Sequence, residues 1–281
     1  MSLLTPLRSV LNPRRHFSLS ATRRMKVVPV PVRSDNYAYL LIDEKAKKAA
    51  AVDVYDVPKV QAAAQEEGVE IVAAITTHHH HDHSGGNEAF AKAYPGLPIY
   101  AGSSKASAAT DIVKDKDEFT IADSINVKCL HTPCHTQDSI CYYVTPTDGS
   151  GHPGGVFTGD TLFIAGCGRF FEGTAPEMHA ALSYLGTLPD KTITYVGHEY
   201  TASNVAHAKT IDPENAGLKR LEEIIKNNEI TTGLTTIGDE KEWNTFMRVH
   251  TEPVQKATGA KEEHEVMATL RELKNNFRGK L

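Results

Sequence analysis

Thr77-His78-His79-His80-His81-Asp82-His83-Ser84-Gly85-Gly86 follows the apolar run Ile71-Val72-Ala73-Ala74-Ile75. That run reads as a buried strand, so the histidine stretch stands at a strand-to-loop corner. Its spacing is H-x-H-x-D-H: His78, His80, Asp82 and His83. Alternate residues of an extended segment point the same way, so His78 and His80 can converge on one ion. A helix starting near Asp82 sends Asp82 and His83 off in another direction. Such a corner offers ligands to two neighbouring metal ions, which is the chemistry of a metal-dependent hydrolase. A purification tag sits at a terminus rather than behind a strand, and a lone histidine is ordinarily a surface or satisfied core residue. Five histidines and an aspartate in six positions, with two glycines behind, fit neither description. His79 and His81 fall outside the spacing and are expected to pack or hydrogen-bond nearby.

The chain around this corner has 281 residues, 40% hydrophobic and 23% charged, the balance of a globular enzyme with a full core. No apolar run is long enough to span a bilayer, and no repeat recurs at a solenoid period. The first 33 residues differ from the rest. They carry Arg8, Arg14, Arg15, Arg23, Arg24, Lys26 and Arg33, with serines, threonines and leucines interspersed, and the first acid is Asp35. That composition predicts a mitochondrial presequence over residues 1–24, with Arg15-His16-Phe17-Ser18 as a processing site. A disordered basic arm is the plainer alternative. A mitochondrial matrix location follows, and Met25 can begin a shorter cytoplasmic form. Starting there removes five arginines and no acid, leaving 25 basic against 35 acidic side chains, net −10. An acidic body gives no support to nucleic-acid binding, and an anionic substrate needs a local basic pocket. Cys129, Cys134, Cys141 and Cys167 form no C-x-x-C pair and are expected to be free thiols, Cys134 in a packing role.

Strands are predicted at 27–30, 37–42, 49–52, 71–76, 99–101, 126–131, 140–144, 156–158 and 192–196, with helices at 57–67 and 86–94. The Gly- and Pro-rich segment 145–155 is a loop, and His152 within it is a bystander. Beyond Tyr200 only helices are predicted, at 201–210, 216–227, 239–248 and 261–276. Mixed strands and helices followed by helices alone suggest a layered sheet domain with a helical cap. The boundary is expected between Glu199 and Pro213, giving a catalytic domain over 25–200 and a substrate-binding one over 201–281.

Two ions need more ligands than one corner supplies. Three later strand exits offer them: Thr132-Pro133-Cys134-His135-Thr136, Phe157-Thr158-Gly159-Asp160-Thr161 and Val196-Gly197-His198-Glu199-Tyr200. Each alone is weak, since a strand-end aspartate is commonly a cap or turn residue. Their order after the H-x-H-x-D-H run resembles the metallo-β-lactamase superfamily. The resemblance implies an α+β fold, a four-layer αββα sandwich with the site at one sheet edge, followed here by a smaller C-terminal α-helical domain. It implies His78, His80 and His135 on one metal, Asp82, His83 and His198 on the other, and Asp160 bridging. Further segments narrow the family. Asp35-Asn36-Tyr37-Ala38-Tyr39-Leu40, Gly159-Asp160-Thr161-Leu162-Phe163, Gly166-Cys167-Gly168-Arg169-Phe170, Glu172-Gly173-Thr174 and Gly197-His198-Glu199-Tyr200-Thr201 are similar to glyoxalase II, hydroxyacylglutathione hydrolase. The similarity runs from about Met25 to the C-terminus. It includes Asn244-Thr245-Phe246-Met247-Arg248, where the family usually has proline at the position of Thr245.

The family resemblance implies cleavage of the thioester S-D-lactoylglutathione to glutathione and D-lactate, the second step of methylglyoxal detoxification. Asp82 and Asp160 are the implied catalytic carboxylates. Two divalent ions are implied, zinc first, with iron or manganese also suited to such ligands. The ions' +4 against roughly −3 from Asp82, Asp160 and a bridging hydroxide suits an anionic tetrahedral intermediate. Arg169, Phe171, Tyr200, Arg271 and Lys274 fall at substrate-binding positions of the family, with Phe171 where tyrosine is common. Arg271 and Lys274 lie three apart, on one helical face; a solvated face is their plainer reading. No nucleic acid or membrane partner is expected, and a monomer is. A one-iron glutathione persulfide dioxygenase of the same superfamily is the nearest alternative, and a non-catalytic metal-binding protein a third. No G-x-S-x-G elbow supports serine hydrolysis.

Overall fold

The computed structural model describes residues 25–147, 149 and 151–279; the presequence expectation lies outside the described residues. Two sheets face each other. The first has six strands in sequential order: β1 (Met25–Pro31), β2 (Tyr37–Asp43), β3 (Lys48–Val52), β4 (Glu70–Ile75), β5 (Ile99–Ala101) and β6 (Asp111–Ile112). β1, β2 and β3 pair antiparallel, and β3 through β6 pair parallel. The second sheet begins with β7 (Glu118–Ile121), β8 (Ile125–His131), β9 (Ile140–Pro146) and β10 (Gly155–Gly159), an antiparallel meander. A small hairpin, β11 (Leu162–Phe163) and β12 (Gly166–Cys167), interrupts it before β13 (Ile193–Val196) joins β10 in parallel.

Period-two alternation explains how the layers stack. Along β2, Tyr37, Tyr39 and Leu41 face the second sheet and meet Tyr142, Val144, Phe157 and Tyr195. Ala38, Leu40 and Ile42 face the other way, onto α1 (Val57–Glu67) and α3 (Asn87–Ala93) through Val60, Ala64 and Phe90. Burial on both faces is why β2 carries no polar alternation before Asp43 at its end. The outer face of the second sheet, with Leu130, Cys141 and Val156, packs on Met178, Leu182 and Leu185 of α4 (Ala175–Gly186). The result is the four-layer αββα sandwich with a C-terminal helical part, as the sequence implied. Between α1 and α3 lies the one-turn α2 (His81–Ser84), starting beside Asp82 as expected.

The C-terminal part comprises α5 (Thr201–Ile211), α6 (Ala216–Asn227), α7 (Ile237–Trp243), a 3₁₀ turn (Thr245–Met247), α8 (Glu252–Thr258) and α9 (Glu263–Asn276). Two details depart from the sequence reading. The helix expected at 239–248 stops at Trp243, because the Asn244 side chain leaves the helix to donate to the Phe163 and Gly166 carbonyls (3.3 and 3.0 Å). Helices α4 and α8 and strands β6, β7, β11 and β12 were not anticipated. The helical part grips the β11–β12 hairpin at several points. The buried Glu240 carboxylate accepts from Ala165 N at its tip (2.8 Å), Trp243 Nε1 (2.9 Å) and Asn244 Nδ2 (2.9 Å). From α9, Arg271 Nη1 donates to the Cys167 carbonyl (2.9 Å). The four cysteines are buried free thiols, with burial pushing Cys134 up to about 12 and Cys167 to about 11, as packing roles require.

Candidate metal centre and cleft

Four strand exits meet at one edge of the sandwich: β4 delivers His78 to His83, β8 His135, β10 Asp160 and β13 His198. Three ring nitrogens converge first. His80 Nδ1 lies 3.2 Å from His78 Nε2 and 3.0 Å from His135 Nε2. Ligand atoms at about 2.0–2.1 Å from a tetrahedral ion stand about 3.3 Å apart, so these nitrogens are spaced for one ion. A second trio lies alongside, with His198 Nε2 3.4 Å from His83 Nε2 and 3.6 Å from Asp82 Oδ2. Asp160 sits between the two trios. Its Oδ2 is 3.3 Å from His135 Nε2 and 3.4 Å from His198 Nε2, and its Oδ1 is 3.3 Å from His83 Nε2. That Oδ1 is buried without a hydrogen-bond partner, an omission a bound cation would repair. All seven residues expected at the site are thus brought together.

The electrostatics agree. Burial, then the neighbouring His83, push His78 well below the ordinary histidine value, and burial likewise lowers His80 and His135. Neutral imidazoles are what a cation needs. At His83 burial opposes the charge, but Asp160 and Asp53 outweigh it and hold the imidazolium well above the usual range. Burial raises Asp160, yet His83 and His198 outweigh it and hold the carboxyl well below the usual range. The carboxylate that favours positive charge on His83 and His198 favours a cation between them for the same reason.

Close approach decides two glycines. A Cβ on Gly168 would stand 1.8 Å from the Asp160 carbonyl, and one on Gly197 2.4 Å from Asp160 Oδ1. Outer partners fix the rings. His135 Nδ1 donates to the Arg169 carbonyl (3.0 Å), and His83 Nδ1 meets Asp53 Oδ2 (2.8 Å). Asp53 also accepts from Thr77 N and Oγ1, both at 2.8 Å. It holds a left-handed backbone (φ 53°) where β3 ends, a conformation costly for a non-glycine residue. Asp53 was missed in the sequence; its only signal was a carboxylate at a strand exit, like the other site residues. His79 bonds Asp138 (2.7 Å) and His81 packs edge-on against Tyr55, both outside the trios as expected.

Two cavities that share three lining residues lie at the centre and beside it. A cavity of 340 Å³ is lined by His80, Asp82, His135, Asp160 and His198, together with Phe163, Arg169, Phe171 and Tyr200. Phe163, Arg169 and Tyr200 also wall a second cavity of 260 Å³, whose far side is Arg271, Lys274 and Arg278. Tyr200 stacks on His198, rings 4.7 Å apart, and Phe171 stands exposed, edge-on to His80 and His135. Lys274 Nζ donates to Ser203 O (2.8 Å) and Oγ (3.0 Å), and burial, then Arg271, bring it down to about 8. Arg271 is buried, so part of its role is holding the Cys167 carbonyl. Among the described residues neither Arg271 nor Lys274 pairs with a carboxylate.

Residues 43–198 match the model of the metallo-beta-lactamase superfamily, and residues 199–277 that of the hydroxyacylglutathione hydrolase C-terminus. A probable hydroxyacylglutathione hydrolase of Schizosaccharomyces pombe, glo2, is 48% identical over 86% of this chain and 93% of its own. The chain belongs to the hydroxyacylglutathione hydrolase family. The cytoplasmic member of that family from Arabidopsis thaliana is 42% identical over 91% of this chain and 100% of its own. Among solved structures, ETHE1 from Myxococcus xanthus superposes with a TM-score of 0.62 at 25% identity, covering 91% of this chain and 92% of its own. Membership in this family makes the chain a metal-dependent hydrolase, and its His/Asp cluster a divalent-metal site.

Proposed function

We propose that this enzyme hydrolyses S-2-hydroxyacylglutathione thioesters, S-D-lactoylglutathione first among them, to glutathione and the free hydroxy acid. The observation that carries the reading is a pair of cavities with common walls: one holds the His/Asp centre, the other Arg271 and Lys274, which have no carboxylate partner among the described residues, and Phe163, Arg169 and Tyr200 line both. A glutathione moiety is long and anionic, and its thioester must reach the centre while its carboxylates sit elsewhere.

His78, His80 and His135 would hold one divalent ion, Asp82, His83 and His198 a second, and Asp160 would bridge; zinc suits this donor set, with iron or manganese as alternatives. When bound, such ions supply Lewis acidity and bring the pKa of water to about 7. The chain's own residues do the rest. Asp82, half-buried at the cavity floor, orients the attacking oxygen. Arg169 and Tyr200 line the approach of the acyl-sulfur region, and Lys274 receives a terminal carboxylate. The leaving thiol has a pKa of about 8.5 by analogy with cysteine, so it departs as thiolate without a dedicated acid. A monomer divided near residue 200, with a presequence directing it to the mitochondrial matrix and a cytoplasmic form from Met25, completes the reading.

The test is turnover of S-D-lactoylglutathione by the metal-loaded protein, with metal content measured on the same sample and oxygen uptake followed with glutathione persulfide. Thioester cleavage without oxygen uptake is expected. A metal-loaded protein that consumes oxygen and leaves the thioester intact overturns the proposal.

A further inference from the structure

Asp35-Asn36 forms the turn between β1 and β2, 163 residues before His198, yet it touches the second trio three times. Asp35 Oδ1 lies 3.0 Å from His198 Nδ1. Asn36 Nδ2 donates to Asp82 Oδ2 at 3.0 Å and lies 3.3 Å from His198 Nε2. The turn is not a loose arm. Glu199 N donates to the Asp35 carbonyl (2.7 Å), Tyr37 N donates to the Gly197 carbonyl (3.0 Å), and Asn36 bridges His198 in antiparallel register. Asn36 is buried.

The first trio has different outer partners, a hydroxyl and a backbone carbonyl: His78 Nδ1 meets Thr77 Oγ1 (3.1 Å), and His135 Nδ1 the Arg169 carbonyl. We propose that Asp35 and Asn36 are positioning residues for Asp82 and His198 alone, so that one dipeptide governs metal occupancy at the second trio and leaves the first untouched. The proposal rests on the two-ion reading above. Its chemistry is direct. A carboxylate accepting from Nδ1–H fixes the His198 tautomer, turns the Nε2 lone pair into the centre and raises its basicity. The Asn36 amide holds the half-buried Asp82 carboxylate in the rotamer that faces His198. Outer partners of this kind are worth about 10–100-fold in metal affinity.

The experiment uses full-length protein with zinc alone as the probe, titrated against a competing chelator, and zinc per chain measured by elemental analysis. Asp35→Ala, Asp35→Asn and Asn36→Ala are compared with the unaltered chain, each checked for its thermal transition. The unaltered chain should bind two equivalents. In Asp35→Ala and Asn36→Ala one equivalent should weaken about 10–100-fold while the other keeps its affinity. Asp35→Asn, which retains an acceptor for Nδ1–H, should recover part of the loss. Asp35 is a turn residue with a partly exposed side chain, so its variants keep the test open if Asn36→Ala fails to fold. Equal weakening of both equivalents, or of neither, overturns the positioning role. A single equivalent in the unaltered chain overturns the two-ion reading first, and the proposal with it.

Discussion

Lys274 titrates within reach of an ordinary assay, and its environment says what should follow. Its ammonium group donates to Ser203 O and Oγ, lies 5.5 Å from the Phe277 ring centroid and has no carboxylate partner among the described residues. Burial, then Arg271, lower it to about 8. It is therefore mostly charged at pH 7 and mostly neutral by pH 9. A hydrogen bond from a charged donor is worth about 1.5–3 kcal/mol against about 0.5–1.5 for a neutral one. The difference, about 1–1.5 kcal/mol, is roughly 5- to 12-fold in binding. The expected result is that kcat/KM for the glutathione thioester falls about tenfold as pH rises through 8 and then levels. Lys274 binds the distal end of the substrate rather than the reacting atoms, so its charge strengthens ground state and transition state alike and kcat should stay flat across the same window. Initial rates of thioester cleavage from pH 6.5 to 10, corrected for spontaneous hydrolysis, measure both. Lys274→Arg keeps its charge and should abolish the fall; Lys274→Met should sit at the lower level throughout. A fall that persists in Lys274→Arg, or a parallel fall in kcat, refutes the assignment. Stability carries the opposite sign. Between about 8 and about 10.4 the unfolded lysine binds the proton that the folded one has lost, so this group makes the fold more stable as pH rises through that window.

Two further outcomes follow from the centre. Asp160→Ala should abolish thioester cleavage and lower the metal bound per chain; an active variant with full metal content would remove the bridging role. Stripping the metal with a chelator should lower the thermal midpoint by about 5–10 °C, the effect of a ligand present at about 100 times its dissociation constant on a domain of this size. An unchanged midpoint in calorimetry would mean the centre forms no stabilising contacts with an ion.

Much of this site was legible because metal ligation constrains spacing. H-x-H-x-D-H at a strand exit, and three later exits carrying His135, Asp160 and His198, needed no structure to find. Outer partners leave no such mark. Asp35 and Asp53 are single carboxylates in turns, and only the fold shows that one meets His198 and the other His83. The α4 helix could have been read: Thr174 and Glu177 form a capping box, and Met178, Ala181, Leu182 and Leu185 follow at i, i+3, i+4 and i+7. The break at Asn244 could not, because the pull on its side chain comes from carbonyls near residue 165, about eighty positions away. Local propensity favoured continuing the helix, and a tertiary contact ended it.

The β11–β12 hairpin has a consequence for how such enzymes can diversify. Phe163 and Arg169, on and just beyond it, wall the cleft, yet its backbone is held from the helical part by Glu240, Asn244 and Arg271. On the proposed function, reactivity and selectivity reside on different stretches of chain that share one wall. An exchange of the helices alone would strand the hairpin, leaving the Ala165 amide and the Cys167 carbonyl without their partners. The smallest unit that can be grafted to change the substrate while leaving the metal ligands in place is the hairpin together with α7 through α9, two pieces distant in sequence that must be inherited as one.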